Sequence, residues 1–343
     1  MNMTSAGPLS TPPLSAGSGR QATTAAAIAE YADRALLAEL MLTPKPGLVD
    51  RRNCGAHHDM DMNTFLASAR AIAPWWPRFV EIGFASADVA APASLPLVRP
   101  VGVLCEQAML RATEGVNTHR GAVFSIGLLC FAAGRLLGQG ATVTGERTCS
   151  EVASICAGLV DRELDSENRA RTAGERVFRQ YGLTGARGEA ASGYAIVRSA
   201  SLPVYDRLRL DGVVEELALL QALLHLLAVN NDTNLVSRGG LAALNYVRAY
   251  AKQLLREGGA LAPDGVNKMA AFDDALIARH LSPGGTADML GVTWFLARFP
   301  SSDGHFPGIA PQTGSMRADH PRFAAAGCEI PKSKRPSPLA VLG

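Results

Sequence analysis

The sequence has little excess charge of either sign. Its 343 residues include 33 Lys and Arg against 31 Asp and Glu, which gives a formal net charge of +2. A protein that binds nucleic acid or an anionic membrane through its overall field needs an excess of one sign, so this composition excludes both as a global property. Any charged ligand must be bound by local clusters instead. With 48% hydrophobic residues the chain can bury a full core, which excludes disorder of the whole chain.

Features of secreted and membrane proteins are also scarce. The six cysteines include no CxxC pair, and most of them lie in apolar segments where a thiol acts as a small hydrophobic side chain. Residues 1–20 lack the basic start and apolar run of a secretory signal. The segment from Gly121 to Gly134 carries no charge, but its 14 residues fall short of the about 18 that a bilayer span needs. We therefore expect a cytoplasmic protein without a membrane segment, with 121–134 as a buried core helix.

The sequence shows no sustained period-two alternation, and aromatic residues make up only 6% of it. A low aromatic content with abundant Ala, Leu, Arg and Gly favours helices over a β-sandwich. The predicted fold class is all-α, with a single large, bundle-like domain at 21–300. Residues 1–20 are predicted as a disordered tail and 301–343 as a mostly irregular tail. Within the domain, the Ala/Pro-rich stretch 84–100 is predicted as a loop.

Apolar residues recur at helical spacing through the rest of the domain. Helices are predicted at about 24–42, 63–82, 101–113, 119–137, 149–164, 172–180, 188–200, 211–229, 239–257, 265–280 and 285–298.

Polar, glycine-rich residues are concentrated in short blocks between these apolar helices. A helical bundle has no structural need for five such junctions, so we interpret them as one shared site for phosphate and metal. The blocks are residues 43–61, 115–121, 185–190, 231–240 and 282–288.

The first block, TPKPGLVDRRNCGAHHDMD, mixes cations with carboxylates. Carboxylates hold a hard cation and Arg or Lys contacts phosphate oxygens, so this mixture predicts a polyphosphate ligand with Mg²⁺ (or Mn²⁺). Zinc is the alternative for His57, His58, Asp59 and Asp61. Neighbouring residues seldom point at one ion, however, and the chain has no second His/Cys pair at ligand spacing.

The second block, GVNTHRG, precedes an apolar helix. A glycine-flanked turn that opens a helix directs free backbone amides and the positive end of the helix dipole outward, which makes an anion site. The alternative is an ordinary helix cap beside a solvated arginine.

In order and spacing, the blocks resemble the triphosphoribosyl-dephospho-coenzyme A synthase family. The resemblance spans about residues 30–298 and rests on TPKPGLVD with NxGAHxDM, Glu106 and Met109 ahead of GVNTHRG, GARGEA, DTN with RGG, and SPGGTADML. It implies an all-helical enzyme that transfers the 5-triphosphoribosyl group of ATP to the 2'-hydroxyl of 3'-dephospho-CoA and releases adenine. The product would pass to a transferase that loads the acyl-carrier subunit of malonate decarboxylase or citrate lyase.

The resemblance also implies site residues, carried over by position. A ribosyl transfer passes through a cationic, oxocarbenium-like state, needs a base for the incoming hydroxyl, and must hold an anionic triphosphate. Glu189 is the implied base, with His119 and Asp59 as further catalytic residues. The implied metal ligands are Asp59, Asp232 and Asp288. The implied nucleotide-binding residues are Lys45, His57, Asn117, Arg120, Arg187, Asn234, Arg238, Gly284 and Gly285.

Two other functions stay open at this point. A metal-dependent helical ADP-ribosyl or nucleotide glycohydrolase would use water in place of the hydroxyl nucleophile. A non-enzymatic helical adaptor would not need the five polar junctions. Binding of ATP separates the adaptor from the two enzymes, and dependence on an acceptor separates the enzymes from each other.

Overall fold

The regular elements of this chain are helices. The computed structural model describes residues 18–164 and 172–300, and no strand occurs in these ranges, which confirms the predicted all-α class. The α-helices are α1 (Ser18–Met41), α2 (Met62–Ile72), α3 (Trp76–Ala85), α4 (Ala91–Ala112), α5 (Arg120–Gly138), α6 (Gly145–Ile155), α7 (Leu159–Glu163), α8 (Ala173–Tyr181), α9 (Gly185–Ala191), α10 (Leu202–Leu210), α11 (Glu215–Val229), α12 (Thr233–Arg256), α13 (Gly265–Ile277) and α14 (Gly284–Leu296). Short 3₁₀ segments at Ala73–Trp75 and Gly259–Leu261 and a π-helix at Val197–Ser201 complete them.

The predicted tails fall almost entirely outside the described residues. The exception is Ser18 to Arg20, which form the first turn of α1.

Helix α5 forms the core of the domain. Nearly every residue from Ala122 to Leu137 is buried, which confirms the predicted core helix. By length and composition α5 is the one candidate for a membrane span in the described part of the chain, but 83% of its apolar window is buried inside the protein. Helices α1 and α14 pack against α5 and against each other.

Glycines bring α3 into direct backbone contact with α5. A Cβ on Gly134 would lie 2.2 Å from the carbonyl oxygen of Val80, and a Cβ on Gly83 would lie 2.1 Å from that of Phe131. Any larger residue at either position would push the two helices apart. This contact fixes the axis of α5, whose first turn forms part of the site described below.

The prediction of a loop at 84–100 is wrong, because α4 begins at Ala91. The prolines that suggested a loop, Pro92, Pro96 and Pro100, are four residues apart and share the exposed face of the helix. Carbonyls left without an N–H partner there can be hydrated. The opposite face carries Leu95 and Val98, which are 6% and 5% exposed, so burial of this apolar face stabilises the helix against the prolines.

Helix α12 begins earlier than predicted, at Thr233 rather than 239. Its first two turns are polar and are separated from the remainder by a kink at Gly239 and Gly240, where Gly240 has a φ of +66°. A left-handed backbone is accessible to glycine at little cost. The kink lets the DTN and RGG motifs form a separate polar turn in front of the apolar part of the helix.

The cysteines described in the core behave as expected from their apolar surroundings. Cys105, Cys130, Cys149 and Cys156 are buried free thiols. Burial raises the pKa of Cys105, Cys149 and Cys156 to about 12, so these thiols stay protonated and pack as small hydrophobic side chains.

Candidate active site

Five helices begin at one cavity of about 920 Å³. The first residues of α5, α8, α9, α12 and α14 all line it, including Gly121, Thr233 and Gly284. The first turn of a helix presents unpaired backbone N–H groups and the positive end of the helix dipole. The three long helices, α5, α12 and α14, therefore direct partial positive charge into the same space.

The cavity unites blocks that are far apart in the sequence. Twelve of the residues implied by the resemblance line it: His57, Asp59, Asn117, Arg120, Arg187, Glu189, Asp232, Asn234, Arg238, Gly284, Gly285 and Asp288. All five polar blocks contribute at least one of them.

Asp232 joins the beginnings of α12 and α14. Its Oδ1 accepts the backbone N–H groups of Asn234 at 2.9 Å and Leu235 at 3.3 Å, which caps α12. Its Oδ2 accepts the N–H and the hydroxyl of Thr286 at 2.7 and 2.8 Å. Asp232 is 2% exposed, and burial raises its pKa although these hydrogen bonds act in the opposite direction. The carboxylate thus fixes the distance between two helix ends at the cavity.

Arg238 holds the loop that carries His57 and Asp59. Its Nη1 donates to the carbonyl of Ala56 at 3.1 Å, and its Nη2 lies 3.5 Å from His57 Nδ1. His57 Nε2 is 2.8 Å from the Ser282 hydroxyl, and its Nδ1 is 3.5 Å from Asp59 Oδ1. The hydrogen bond from His57 lowers the pKa of Asp59, against the opposing effect of burial. Asp59 is therefore ionised near neutral pH.

Buried carboxylates shape the rest of that loop. Asp50 accepts the backbone N–H groups of Lys45 at 2.8 Å and Arg52 at 2.7 Å. Asp273 accepts from the Arg52 guanidinium at 2.9 Å and from the Asn53 amide at 2.8 Å. Arg52 and Asn53 therefore stabilise the loop.

Asp288 lies where α14 meets the first turn of α5. Burial raises the pKa of Asp288 well above its usual value, and the nearby Glu39 and Asp232 add to the shift. A hydrogen bond from the Ala122 amide acts in the opposite direction. Asp288 lines the main cavity and also a smaller neighbouring one of about 40 Å³.

Lys45 and His119, which were implied as site residues, line the smaller cavity and are absent from the lining of the main one. Lys45 is 1% exposed, and its Nζ lies 2.6 Å from Glu39 Oε1. Its charge is thus paired beneath the floor of the main cavity, next to Asp288.

His119 is held from one side of its ring. Its Nδ1 lies 2.6 Å from Ser68 Oγ, which also accepts the Thr118 hydroxyl at 2.7 Å. Its Nε2 is buried and has no hydrogen-bond partner in the described part of the chain. Burial lowers the pKa of His119 to about 3, helped by the charge of Lys45. His119 is therefore neutral at physiological pH.

Glu189, which the resemblance implied as the base, is one of the cavity carboxylates whose pKa is raised. It lies on the short helix α9 and lines the cavity. Burial raises its pKa, while a hydrogen bond of 3.3 Å from the Ile196 amide to Oε2 partly offsets this. A carboxylate with a raised pKa is a stronger base than a solvated one.

Several lining residues were missed by the sequence-based list. Glu106 Oε2 pairs with Arg120 Nε at 3.1 Å, and Glu163 binds both Arg99 and Arg187. Glu106 stood within the resemblance but outside the implied site. Arg99 lay in the segment predicted as a loop, so no helical register pointed to it. Only the packing of α4 beside α5 shows that Arg99 and Glu106 face the cavity.

The match to known proteins extends over most of the chain. The family model for ATP:dephospho-CoA triphosphoribosyl transferase matches residues 25–305. The chain belongs to this family. A 2-(5''-triphosphoribosyl)-3'-dephosphocoenzyme-A synthase of Klebsiella pneumoniae is 55% identical over 270 residues, which cover 78% of this chain and 89% of that protein. The corresponding synthase of Escherichia fergusonii is 52% identical over 278 residues, which cover 80% and 92%. No solved structure matches the chain.

The carboxylates that a triphosphoribosyl transferase could use for a metal ion are spread around the cavity. In residues 18–164 and 172–300, no group of three or more His, Cys, Asp or Glu side chains is placed to hold a metal ion by itself. Mg²⁺ commonly takes only one or two carboxylates and completes its shell with water and substrate phosphates. Asp59 and Asp288 fit such a role, whereas both oxygens of Asp232 already accept hydrogen bonds.

Proposed function

We propose that this protein transfers the 5-triphosphoribosyl group of ATP to the 2'-hydroxyl of 3'-dephospho-CoA with release of adenine. The observation that carries the proposal is the convergence of α5, α12 and α14 on one large cavity with Arg120, Arg187 and Arg238 in its lining. Helix N-termini and arginines together are a recurrent arrangement for polyphosphate groups. The triphosphate would be retained here while adenine is released.

The bond changes balance within the two substrates. The 2'-oxygen of the acceptor forms a bond to ribose C1' of ATP, and the bond from C1' to adenine N9 breaks. The acceptor hydroxyl loses one proton and the departing adenine gains one. Glu189 takes the hydroxyl proton, because it lines the cavity and its buried carboxylate has a raised pKa. Ionised Asp59 lies in the same lining and stabilises positive charge on the ribose in the transition state.

Mg²⁺ (or Mn²⁺) accompanies the triphosphate in this proposal. The cavity lining carries four arginines, and three of them already pair with Glu106 or Glu163, so the arginines alone leave much of the charge of a bound triphosphate without a counter-charge. When bound, a divalent cation supplies charge neutralisation of the phosphate oxygens. Asp59 and Asp288 are the residues that would hold it. Arg238 and the amides at the beginning of α14 would contact the remaining phosphate oxygens.

The product is a precursor and needs further partners. We place the protein in the cytoplasm, where its product passes to a transferase that loads the acyl-carrier subunit of malonate decarboxylase or citrate lyase. Neither a nucleic acid nor a membrane takes part in the reaction as proposed.

Mass spectrometry of the reaction products tests the proposal. The protein is incubated with ATP, Mg²⁺ and 3'-dephospho-CoA, and each substrate is omitted in turn. We expect adenine and the triphosphoribosyl adduct of the acceptor in equal amounts, and neither product without the acceptor. CoA itself should be a poor acceptor, because its 3'-phosphate lies beside the reacting hydroxyl.

Two results would overturn the proposal. Release of ADP as the stoichiometric product would place the chemistry at the phosphates. Release of adenine or ADP-ribose without any acceptor would favour the glycohydrolase, in which water is the nucleophile.

The role of Glu189 has a separate test. Glu189→Gln keeps the size of the side chain and removes the base, so we expect kcat to fall at least about 100-fold. The affinity for ATP, measured by calorimetry, should change less than about twofold. An equal loss of ATP affinity would assign Glu189 to nucleotide binding.

A further inference from the structure

Two arginines in the cavity converge on one carboxylate. Glu163, at the end of α7, binds the Arg99 guanidinium of α4 through Oε1 and Arg187 Nε of α9 through Oε2 at 2.8 Å. All three residues line the cavity. Their side chains are 53% exposed for Arg99, 30% for Arg187 and 25% for Glu163, so solvent and ligands can reach them.

The carboxylate between the arginines is ionised. Burial acts to raise the pKa of Glu163, but hydrogen bonds from Arg99 and Arg187 outweigh it and lower the pKa. Two guanidinium groups that grip an anion from both sides form the geometry in which arginine recognises phosphate. Arg99 uses Nη2 for Glu163, and Arg187 uses Nε for Glu163 while its Nη2 lies 3.8 Å from Glu175 Oε1. Further N–H groups of both side chains can therefore serve a ligand.

This arginine pair lies on α4 and α9, whereas Arg238 lies on α12. Helix α9 connects the two regions, since Gly185 at its start lies against the side chain of Thr233, where α12 begins. Glu189, the proposed base, follows Arg187 by two residues on the same short helix. The proposed base therefore shares a short helix with one arginine of this pair, in a cavity that also holds Arg238.

The wall beside Arg99 is apolar. One helical turn after Arg99, Val103 lines the cavity and is 54% exposed, and Val98 and Phe124 contribute to the same lining. A diphosphate bound at Arg99 could thus continue into an uncharged chain that runs along α4 toward solvent. The acceptor of the proposed reaction has this chemistry, because its diphosphate joins adenosine to an uncharged arm.

We propose that Arg99 and Arg187 bind the diphosphate of the acceptor, with Glu163 holding the two guanidinium groups in place when the acceptor is absent. The inference rests on the proposed function and adds to it the residues that select the acceptor. The triphosphate donor is bound by the other cation group, around Arg238.

The first test separates the two substrates by steady-state kinetics. In Arg99→Gln, we expect the KM for 3'-dephospho-CoA to rise at least about tenfold while the KM for ATP changes less than about twofold. Inhibition by adenosine, which has the hydroxyls but no diphosphate, should be unchanged. Arg78→Gln is the matched control, because Arg78 is an exposed arginine paired with Glu81 and lies outside the lining of the cavity.

Glu163→Gln tests the other side of the ion pair, because it removes the carboxylate and keeps both arginines. Removing the competing negative charge should lower the KM for 3'-dephospho-CoA or leave it unchanged. A purely structural ion pair predicts something else: both variants would lower the melting temperature and raise the KM for both substrates together. That pattern, or an unchanged acceptor KM in Arg99→Gln, would overturn the inference.

Calorimetry with 3'-dephospho-CoA distinguishes failure of this inference from failure of the proposed function. If the unaltered protein binds 3'-dephospho-CoA but releases no adenine, the proposed reaction is wrong, and a weaker affinity in Arg99→Gln still supports the diphosphate site. If Arg99→Gln and the unaltered protein bind it equally tightly, the site is wrong whatever the reaction. If the unaltered protein does not bind it at all, both proposals fall.

Discussion

At the scale of single residues, Gly121 shows how closely the cavity wall is packed. A Cβ on Gly121 would lie 2.0 Å from Oδ2 of Asp288. Gly121→Ala should therefore displace the Asp288 carboxylate from the beginning of α5. We expect the free energy of unfolding to fall by about 1–3 kcal/mol and ATP affinity to fall with it. Urea unfolding and calorimetry measure the two effects.

Gly102→Ala is the control for Gly121→Ala. Gly102 also lies in a helix and lines the cavity, but a Cβ there would meet nothing within 4 Å. Alanine is the better helix former, so this variant should be more stable by about 0.5–1 kcal/mol. Equal stability of the two variants would mean that Asp288 does not occupy the position described.

His119 should make stability depend on pH. Its pKa is about 3 in the folded protein against 6.5 for an ordinary histidine, so below pH 6.5 the unfolded chain binds a proton that the folded chain does not. Above pH 6.5 His119 does not make the free energy of unfolding depend on pH. As the pH falls from 6.5 toward 3, it lowers the free energy of unfolding by up to about 1.4 kcal/mol per pH unit. In His119→Gln the free energy of unfolding should fall less steeply between pH 6 and 4. Parallel slopes would show that His119 titrates normally.

At the scale of elements, the junction of α12 and α14 depends on Asp232. Asp232→Ala removes the cap of α12 and leaves the buried hydroxyl of Thr286 without its acceptor, while the N–H of Thr286 keeps the Pro283 carbonyl at 3.0 Å. We expect a loss of about 2–4 kcal/mol in the free energy of unfolding, the sum of a lost cap and an unsatisfied buried donor. Denaturant unfolding followed by circular dichroism measures it.

Asp264 supplies the comparison for Asp232. It stands at the same position before α13 but makes no side-chain cap hydrogen bond. Asp264→Ala should change stability by less than about 0.5 kcal/mol. A similar loss in both variants would mean that the Asp232 contacts add little.

Elements also show where sequence patterns succeed and fail. Apolar residues predicted α5 and α14 correctly, because both helices are buried over most of their length. The same reasoning missed the first part of α4, because its three prolines are helix breakers when only neighbouring residues are considered. The burial of Leu95 and Val98, which outweighs the prolines, depends on neighbours that are distant in the sequence.

At the scale of the whole molecule, we expect ATP binding to depend on a divalent cation. Three of the four arginines in the lining already pair with carboxylates, so ATP should bind at least about tenfold more weakly after Mg²⁺ is removed with EDTA, and Mn²⁺ should restore the affinity. Adenosine carries no phosphate and should bind equally with or without the metal. Calorimetry with both ligands makes the comparison. Equally tight ATP binding in EDTA would exclude a metal-bridged triphosphate.

The sequence by itself determined the all-α class and the core helix α5, because apolar residues recur at helical period. The concentration of Gly, Asp and Arg where helices begin indicated a site, and the resemblance to a known family implied its residues. Twelve of the implied residues line one cavity because each polar block stands at such a helix end.

Only the tertiary structure decided which charges face the cavity and which lie beneath it. Lys45 stands among polar neighbours in the sequence, yet it is buried against Glu39. Arg99 stands among prolines, yet it faces the cavity beside Glu163 and Arg187. The physical reason is that a charge in a folded protein is placed by the partners that reach it. Those partners come from helices that are brought together only when the core packs.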